Sequence, residues 1–202
     1  MNAYKTFEND KYKLEICIDE SSESPRRWDN LAKMVCSHKR YNLGDKHDYK
    51  HDDYDGWDEM KKAIIKKEKA VVILPLYMYD HSGITISTSP FGCRWDSGQV
   101  GLIFVSRENA VKEFGKRITK EIKEKITDII NIEVKTYDQY VRGDIYGFNL
   151  KNKENGEEDS CWGFYGDNVF ENGMSDHIED EVMESLKEEI SKEYKMPVEV
   201  AL

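Results

Sequence analysis

Between Tyr12 and Asp19, Leu14, Ile16 and Ile18 alternate with Lys13, Glu15 and Cys17. A period of two sets one face of a strand against a core and the other in a polar setting. A turn over Ser21 to Pro25 follows, and Trp28, Leu31, Met34 and Val35 then fit either a short helix or a helical turn leading into a strand. From Tyr41 to Asp55 apolar periodicity is lost in a run of Asp, His, Lys and Tyr, which predicts a loop too long to be a simple connector. Asp55 is placed to cap a helix from Trp57 to Lys69 whose stripe is Met60, Ile64 and Ile65.

Ala70 to Asp80, Gly83 to Thr88 and Gln99 to Ser106 read as strands, the first and third apolar on both faces and therefore covered on both sides. Ser106 is set to cap a helix that stops at Gly115, and Ile118, Ile122, Ile126, Ile129 and Ile130 outline a longer helix to about Tyr140. Asp144 to Leu150 and Ser160 to Tyr165 flank Asn155-Gly156, a favoured turn dipeptide, predicting a hairpin with a mobile tip over residues 151–159. Ile178, Val182, Met183, Leu186 and Ile190 mark a last helix from Ser175 to about Tyr194, ended by Pro197. With no repeat or low-complexity linker, residues 1–202 are expected to form one α+β domain, its mixed or mainly antiparallel sheet of about five to seven strands packed by helices and residues 1–10 flexible.

The chain has 202 residues, long enough for folding to remove roughly 70% of the extended chain's surface from water. With 39% hydrophobic residues against 35% charged, it is a globular composition rather than a disordered or fibrous one. Forty Asp and Glu against thirty Lys and Arg leave a charge of −10. That balance argues against direct nucleic-acid binding unless the basic residues are segregated, and favours a protein partner with a basic surface. Cys17, Cys36, Cys93 and Cys161 are widely spaced and expected to be reduced. No signal-peptide core and no apolar run of about twenty residues is present, so a cytoplasmic protein without membrane contact is expected.

Three segments hold candidate chemistry. Cys36 to Asp58 contains His38, Asp45, His47 and His51, a donor set suited to a divalent metal, with His47 and His51 on one face if the stretch were helical. It matches neither an EF-hand nor a His-Glu-x-x-His site, and the competing reading is a solvated acidic loop in which Asp52, Asp53 and Asp55 offer an interface. Asp80-His81-Ser82-Gly83 ends an apolar strand; adjacent strand residues face opposite ways, so no literal triad forms, but His81 can act as a general base with Asp80 or Asp96 as carboxylate partner. Cys93 to Gln99 is a polar loop anchored by Trp95, where Cys93 is a thiolate candidate only if His81 or His38 reaches it. Phosphate-cradling glycine motifs are absent, and Arg26-Arg27 and Lys39-Arg40 read as solvated surface.

Ser24-Pro25-Arg26-Arg27-Trp28-Asp29-Asn30-Leu31, Arg40-Tyr41-Asn42-Leu43-Gly44-Asp45, Leu74-Pro75-Leu76-Tyr77-Met78-Tyr79-Asp80-His81-Ser82-Gly83, Trp95-Asp96-Ser97-Gly98-Gln99-Val100-Gly101 and Cys161-Trp162-Gly163-Phe164-Tyr165-Gly166 resemble blocks of a family of small accessory proteins of bacteriophages and mobile elements. The likeness runs from about Asp19 to Gly173. It implies a setting, a bacterial host cell and a gene pool rich in inhibitors of host defence, and no catalytic residue. Two expectations follow: a non-enzymatic acidic inhibitor of a host defence or nucleic-acid-binding protein, or a metal-dependent hydrolase of a nucleotide or phosphoester built from His38, His47, Asp80, His81 and Asp96. A third is capture of a small signalling nucleotide.

Overall fold

The computed structural model describes residues 3–194. Among them the order is β1 (Lys5–Glu8), β2 (Tyr12–Ile18), β3 (Lys33–Cys36), α1 (Trp57–Glu68), β4 (Val72–Asp80), β5 (Ile84–Ser87), β6 (Ser97–Val105), α2 (Arg107–Phe114), α3 (Lys120–Arg142), β7 (Ile145–Asn152), β8 (Glu158–Tyr165) and α4 (Asp180–Tyr194). The fold is α+β and every strand pair is antiparallel. The strands are divided between two four-stranded sheets, β1-β2-β7-β8 and β3-β6-β4-β5, rather than gathered in one. Each sheet belongs to one of two compact units: a terminal unit of residues 1–23 and 143–202, and an inserted unit of residues 24–142.

In the terminal unit β2 alternates as its period predicts through Ile16 and departs from it at the end, where Cys17 is buried and Ile18 is exposed. Leu14 and Ile16 are fully buried and lie opposite Leu150 and Phe148 of β7, while Lys13 and Glu15 lie opposite Lys151 and Asn149. Val182, Leu186 and Ile190 of α4 close the apolar face, together with Val169, Met174 and Ile178. Each such side chain taken from water contributes roughly 1.5–3 kcal/mol. The N-terminal segment, expected to be flexible, instead supplies β1: Phe7 is buried opposite Leu14, and the Asn9 side chain turns the chain into β2 by accepting the N–H groups of Lys11 and Tyr12 at 2.9 and 2.7 Å. The strands of the β7–β8 hairpin run further than their apolar content suggested, leaving a turn of residues 153–157 that Gly156 enters at a φ of 77°. The expected last helix begins as a 3₁₀ turn, Met174–His177, and extended Ile178 separates this from α4. The stop at Pro197 lies outside the described residues.

In the inserted unit β6 is buried from Val100 to Val105. Ile103 and Val105 pack with Ile126, Ile130, Val134 and Tyr137 of α3, and Leu102 and Phe104 pack with Met60 and Ile64 of α1. The sheet is thus covered on both faces, as its doubly apolar strands predict. The segment of uncertain type resolves into a 3₁₀ turn, Pro25–Arg27, followed by β3. Ser106 caps α2 by accepting the Asn109 N–H at 3.1 Å, and Gly115 ends it with a φ of 85°. The cap of α1 differs from expectation: Gly56 occupies the N-cap, and Glu59 reaches back to accept the Asp55 N–H, so Asp55 serves as a donor through its backbone. The long loop is packed rather than loose, since Leu43 and Tyr49 are buried and the Tyr49 hydroxyl donates to Glu68 at 2.6 Å.

Candidate functional site

β4 ends at Asp80, where its N–H donates to the Asp96 carbonyl at 2.8 Å and Ser82 turns the chain in a left-handed conformation, φ 58°. This pairing of chain segments brings His81 Nδ1 to 3.2 Å from Asp96 Oδ2. The carboxylate thereby orients the imidazole with Nε2 free for proton transfer, which is the geometry of a general-base dyad. Both groups stand in solvent, at 64% and 40% exposure. Asp80 is turned to other work: its carboxylate binds the Arg40 guanidinium and the Tyr41 hydroxyl, and Tyr41 stacks on His38 at 5.0 Å between ring centres. The structure therefore gathers Asp80, His81, Asp96 and His38 at one end of the sheet. A thiol–imidazole pair is not formed: Cys93 Sγ lies 3.8 Å from Asp96 Oδ2, on the carboxylate rather than on His81, and its carbonyl is held by the Ser97 hydroxyl. Trp95, between them in sequence, is 96% exposed.

The metal candidates do not come together. Asp45 is consumed by Arg26 and by the Met34 N–H, and His47 Nε2 donates to the Cys36 carbonyl at 2.8 Å. His51 packs on the Trp57 ring at 4.5 Å, and His38 lies on Tyr41. Residues 47–50 are not helical and a 3₁₀ turn begins only at His51, so the i, i+4 face that His47 and His51 needed does not exist. Among the described residues no group of three His, Cys, Asp or Glu side chains is placed to hold a metal ion. Asp52, Asp53 and Asp55 are exposed, in and after the 3₁₀ turn His51–Asp53.

Arg26 is the residue that sequence reasoning misplaced. Its side chain is only 5% exposed, and it bridges three segments. Nε and Nη2 grip Asp45 at 2.9 and 2.7 Å, Nη1 donates to Glu133 of α3 at 2.9 Å, and Nη2 also donates to the Ala32 carbonyl at 2.7 Å. Glu133 Oε1 in turn accepts the N–H groups of Leu31 and Ala32. Burial opposes the charge on Arg26, but Asp45 and Glu133 outweigh it and hold the guanidinium above its usual range. The same burial, with Asp45 nearby, pushes the Cys36 thiol up to about 12. This network forms part of the wall of a cavity of about 810 Å³ lined also by Arg27, Trp28, Lys33, Lys46 and Tyr140. The only signal in the sequence was the Arg-Arg pair itself, because the carboxylate that completes the network lies 107 residues away.

No family model, curated protein or solved structure matches the chain. What distinguishes the two units is charge. The terminal unit carries 22 Asp and Glu against 8 Lys and Arg, and the inserted unit 18 against 22. The acidity of the protein therefore resides in one unit, and the other has a small basic excess. Among the described residues no helix is long and apolar enough to cross a membrane.

Proposed function

We propose that the protein is a non-enzymatic inhibitor that engages a basic, nucleic-acid-binding host protein through its terminal unit. The observation that carries this reading is the charge partition: fourteen excess carboxylates concentrate on one unit, outside the folded core. Glu181, Glu184, Glu188 and Glu189 are exposed on α4 while Val182, Leu186 and Ile190 face inward. Lys11, Lys187 and Lys192 neutralise part of this charge at 2.8–3.2 Å and leave an acidic excess. Such a surface accelerates encounter with a basic groove and competes there with phosphate. The resemblance to phage accessory proteins supplies the setting, inhibition of a restriction or CRISPR effector.

The test is plating of a restricted phage on a host that expresses the protein, with salt-dependent complex formation measured against the purified effector. Glu184→Lys, Glu188→Lys and Glu189→Lys together should weaken the complex by about 10–100-fold at low salt and abolish protection. The same reversal at Asp52, Asp53 and Asp55 should cost much less, because these lie in the inserted unit. Equal protection by the α4 variant would end the proposal.

The His81–Asp96 dyad favours a second reading, hydrolysis of a phosphoester with His81 as base. It ranks second because both groups are solvated and, among the described residues, no group of three metal-donor side chains stands beside them. Phosphodiester turnover that His81→Ala removes would reverse the order.

A further inference from the structure

We propose that the cavity of the inserted unit is a nucleotide site, its cations holding the phosphate and Trp28 the base. The volume, about 810 Å³, falls within the ~300–1,000 Å³ that small-molecule sites span. Four cations line it, Arg26, Arg27, Lys33 and Lys46, and Arg26 is held by Asp45 and, from behind, by Glu133. Lys33 and Lys46 have no ion pair among the described residues, so their charge is available to an anion.

The wall is also built in advance. Arg26 makes four hydrogen bonds to protein oxygens and ties the loop to α3. The Asn30 amide donates to the carbonyls of Pro25 and Trp28 at 2.8 and 3.0 Å, which fixes the backbone that presents the indole. Trp28 is 51% exposed on this fixed backbone, and Tyr140 lines the same cavity. A rigid wall lowers the entropic cost of binding, and an indole face stacks on any base without reading its edges. Inorganic phosphate would use the cations and leave the aromatic surface idle; a nucleoside would do the reverse. A ligand carrying both halves fits what lines the cavity. This inference is independent of the partner reading, since it uses no residue of the terminal unit.

Isothermal titration calorimetry of the intact chain at low salt, against the four nucleoside monophosphates, ribose 5-phosphate, inorganic phosphate and adenosine, tests it. At least one monophosphate should bind at a single site, roughly tenfold or more tighter than ribose 5-phosphate, phosphate or adenosine. Lys33→Met and Lys46→Met should each weaken the monophosphate by about 3–10-fold. Trp28→Ala should weaken it by a similar factor and leave ribose 5-phosphate unchanged. None of these variants touches the Arg26 network, and circular dichroism verifies that each is folded. Silence from all four monophosphates at about 1 mM, binding unaltered in both lysine variants, or ribose 5-phosphate binding as tightly as the nucleotides would each overturn the proposal.

Discussion

The two units use the same frame, a four-stranded antiparallel sheet, and load it in opposite ways. The inserted sheet has α1 on one face and α3 on the other, and its central strand β6 is apolar through both sides. The terminal sheet has α4 on one face, while Lys13, Glu15, Asn149, Lys151 and Ser160 populate the other, and β2 alternates from Tyr12 to Ile16. Burial on two faces leaves the inserted unit's polar chemistry at strand ends and in its loops, where Arg26 and the His81–Asp96 dyad are found. Burial on one face leaves the terminal unit free to carry charge on its sheet, its hairpin and the outside of α4. The candidate chemistry thus divides along the same line as packing: a cavity and a His–Asp pair in one unit, the acidic excess in the other.

The largest effect that breaks this comparison is removal of the ion network of the inserted unit, which has no equally buried counterpart among the described residues of the terminal one. Arg26→Met strands Asp45 and Glu133, at 18% and 11% exposure, without their shared cation. Leaving partly buried charge unpaired costs on the order of 3–5 kcal/mol, and the expected result is a large loss in the chemical-denaturation midpoint. The terminal unit's nearest equivalent is Lys5 between Asp167 and Glu193 at 2.7 and 3.2 Å, with Glu193 half exposed. Lys5→Met should cost about 1 kcal/mol or less. Equal losses for the two variants would show that the Arg26 network is no more than a surface pair.

A smaller contrast sits on the two central strands. A Cβ at Gly101 of β6 would overlap the Val35 carbonyl oxygen and press on Cys36 Cα, both backbone atoms of the paired strand. At Gly147 of β7 it would chiefly meet the ring of Trp162, which is 39% exposed and has room to swing, with the Cys161 carbonyl as a secondary obstacle. Gly101→Ala should therefore cost about 3 kcal/mol and Gly147→Ala about half that, read from urea midpoints. Trp162→Ala combined with Gly147→Ala should recover part of the second loss and none of the first.

Local periodicity carried most of the fold. The alternation of Leu14 and Ile16, the doubly apolar β6, the Ser106 cap and the Gly115 stop all stand where residue pattern puts them, because each depends on neighbours within a few positions. β1 was hidden because only Phe7 among four residues is buried, so one apolar position gave no period. The partition into two sheets was hidden as well, since strand pairing joins residues 12–18 to 146–152 across more than a hundred positions and alternation names no partner. Of the site, His81 with Asp96 was legible because a strand end and a following loop had few ways to meet. Asp45 was read as a metal ligand because a carboxylate beside histidines looks the same in sequence whether its partner is a cation or a buried guanidinium.

The last contrast is in how each unit meets alkali. Burial raises the Cys36 thiol to about 12 in the inserted unit, from an ordinary value of 9.0, and raises Tyr137 beside it and also Tyr49, the latter with help from Glu68. In the terminal unit burial raises Tyr194 to about 12 and also lifts Tyr146, while Lys5 works against the shift at Tyr194. Each is an acid whose folded pKa exceeds its unfolded one. The unfolded chain therefore loses these protons first, and stability that is complete below about pH 8 drains away as pH rises toward 12, by up to about 1.4 kcal/mol per pH unit for each group. Between about pH 8 and 9 the thiol dominates this loss, because the phenols of the unfolded chain ionise near 10 and begin to contribute only above about pH 9. Thermal midpoints measured at half-unit steps should be level to about pH 8 and then fall, and Cys36→Ala should be level for about one further unit before it follows the wild type down. If the two curves break at the same pH, the buried thiol of the inserted unit contributes nothing to alkaline lability and the tyrosines of both units account for it alone.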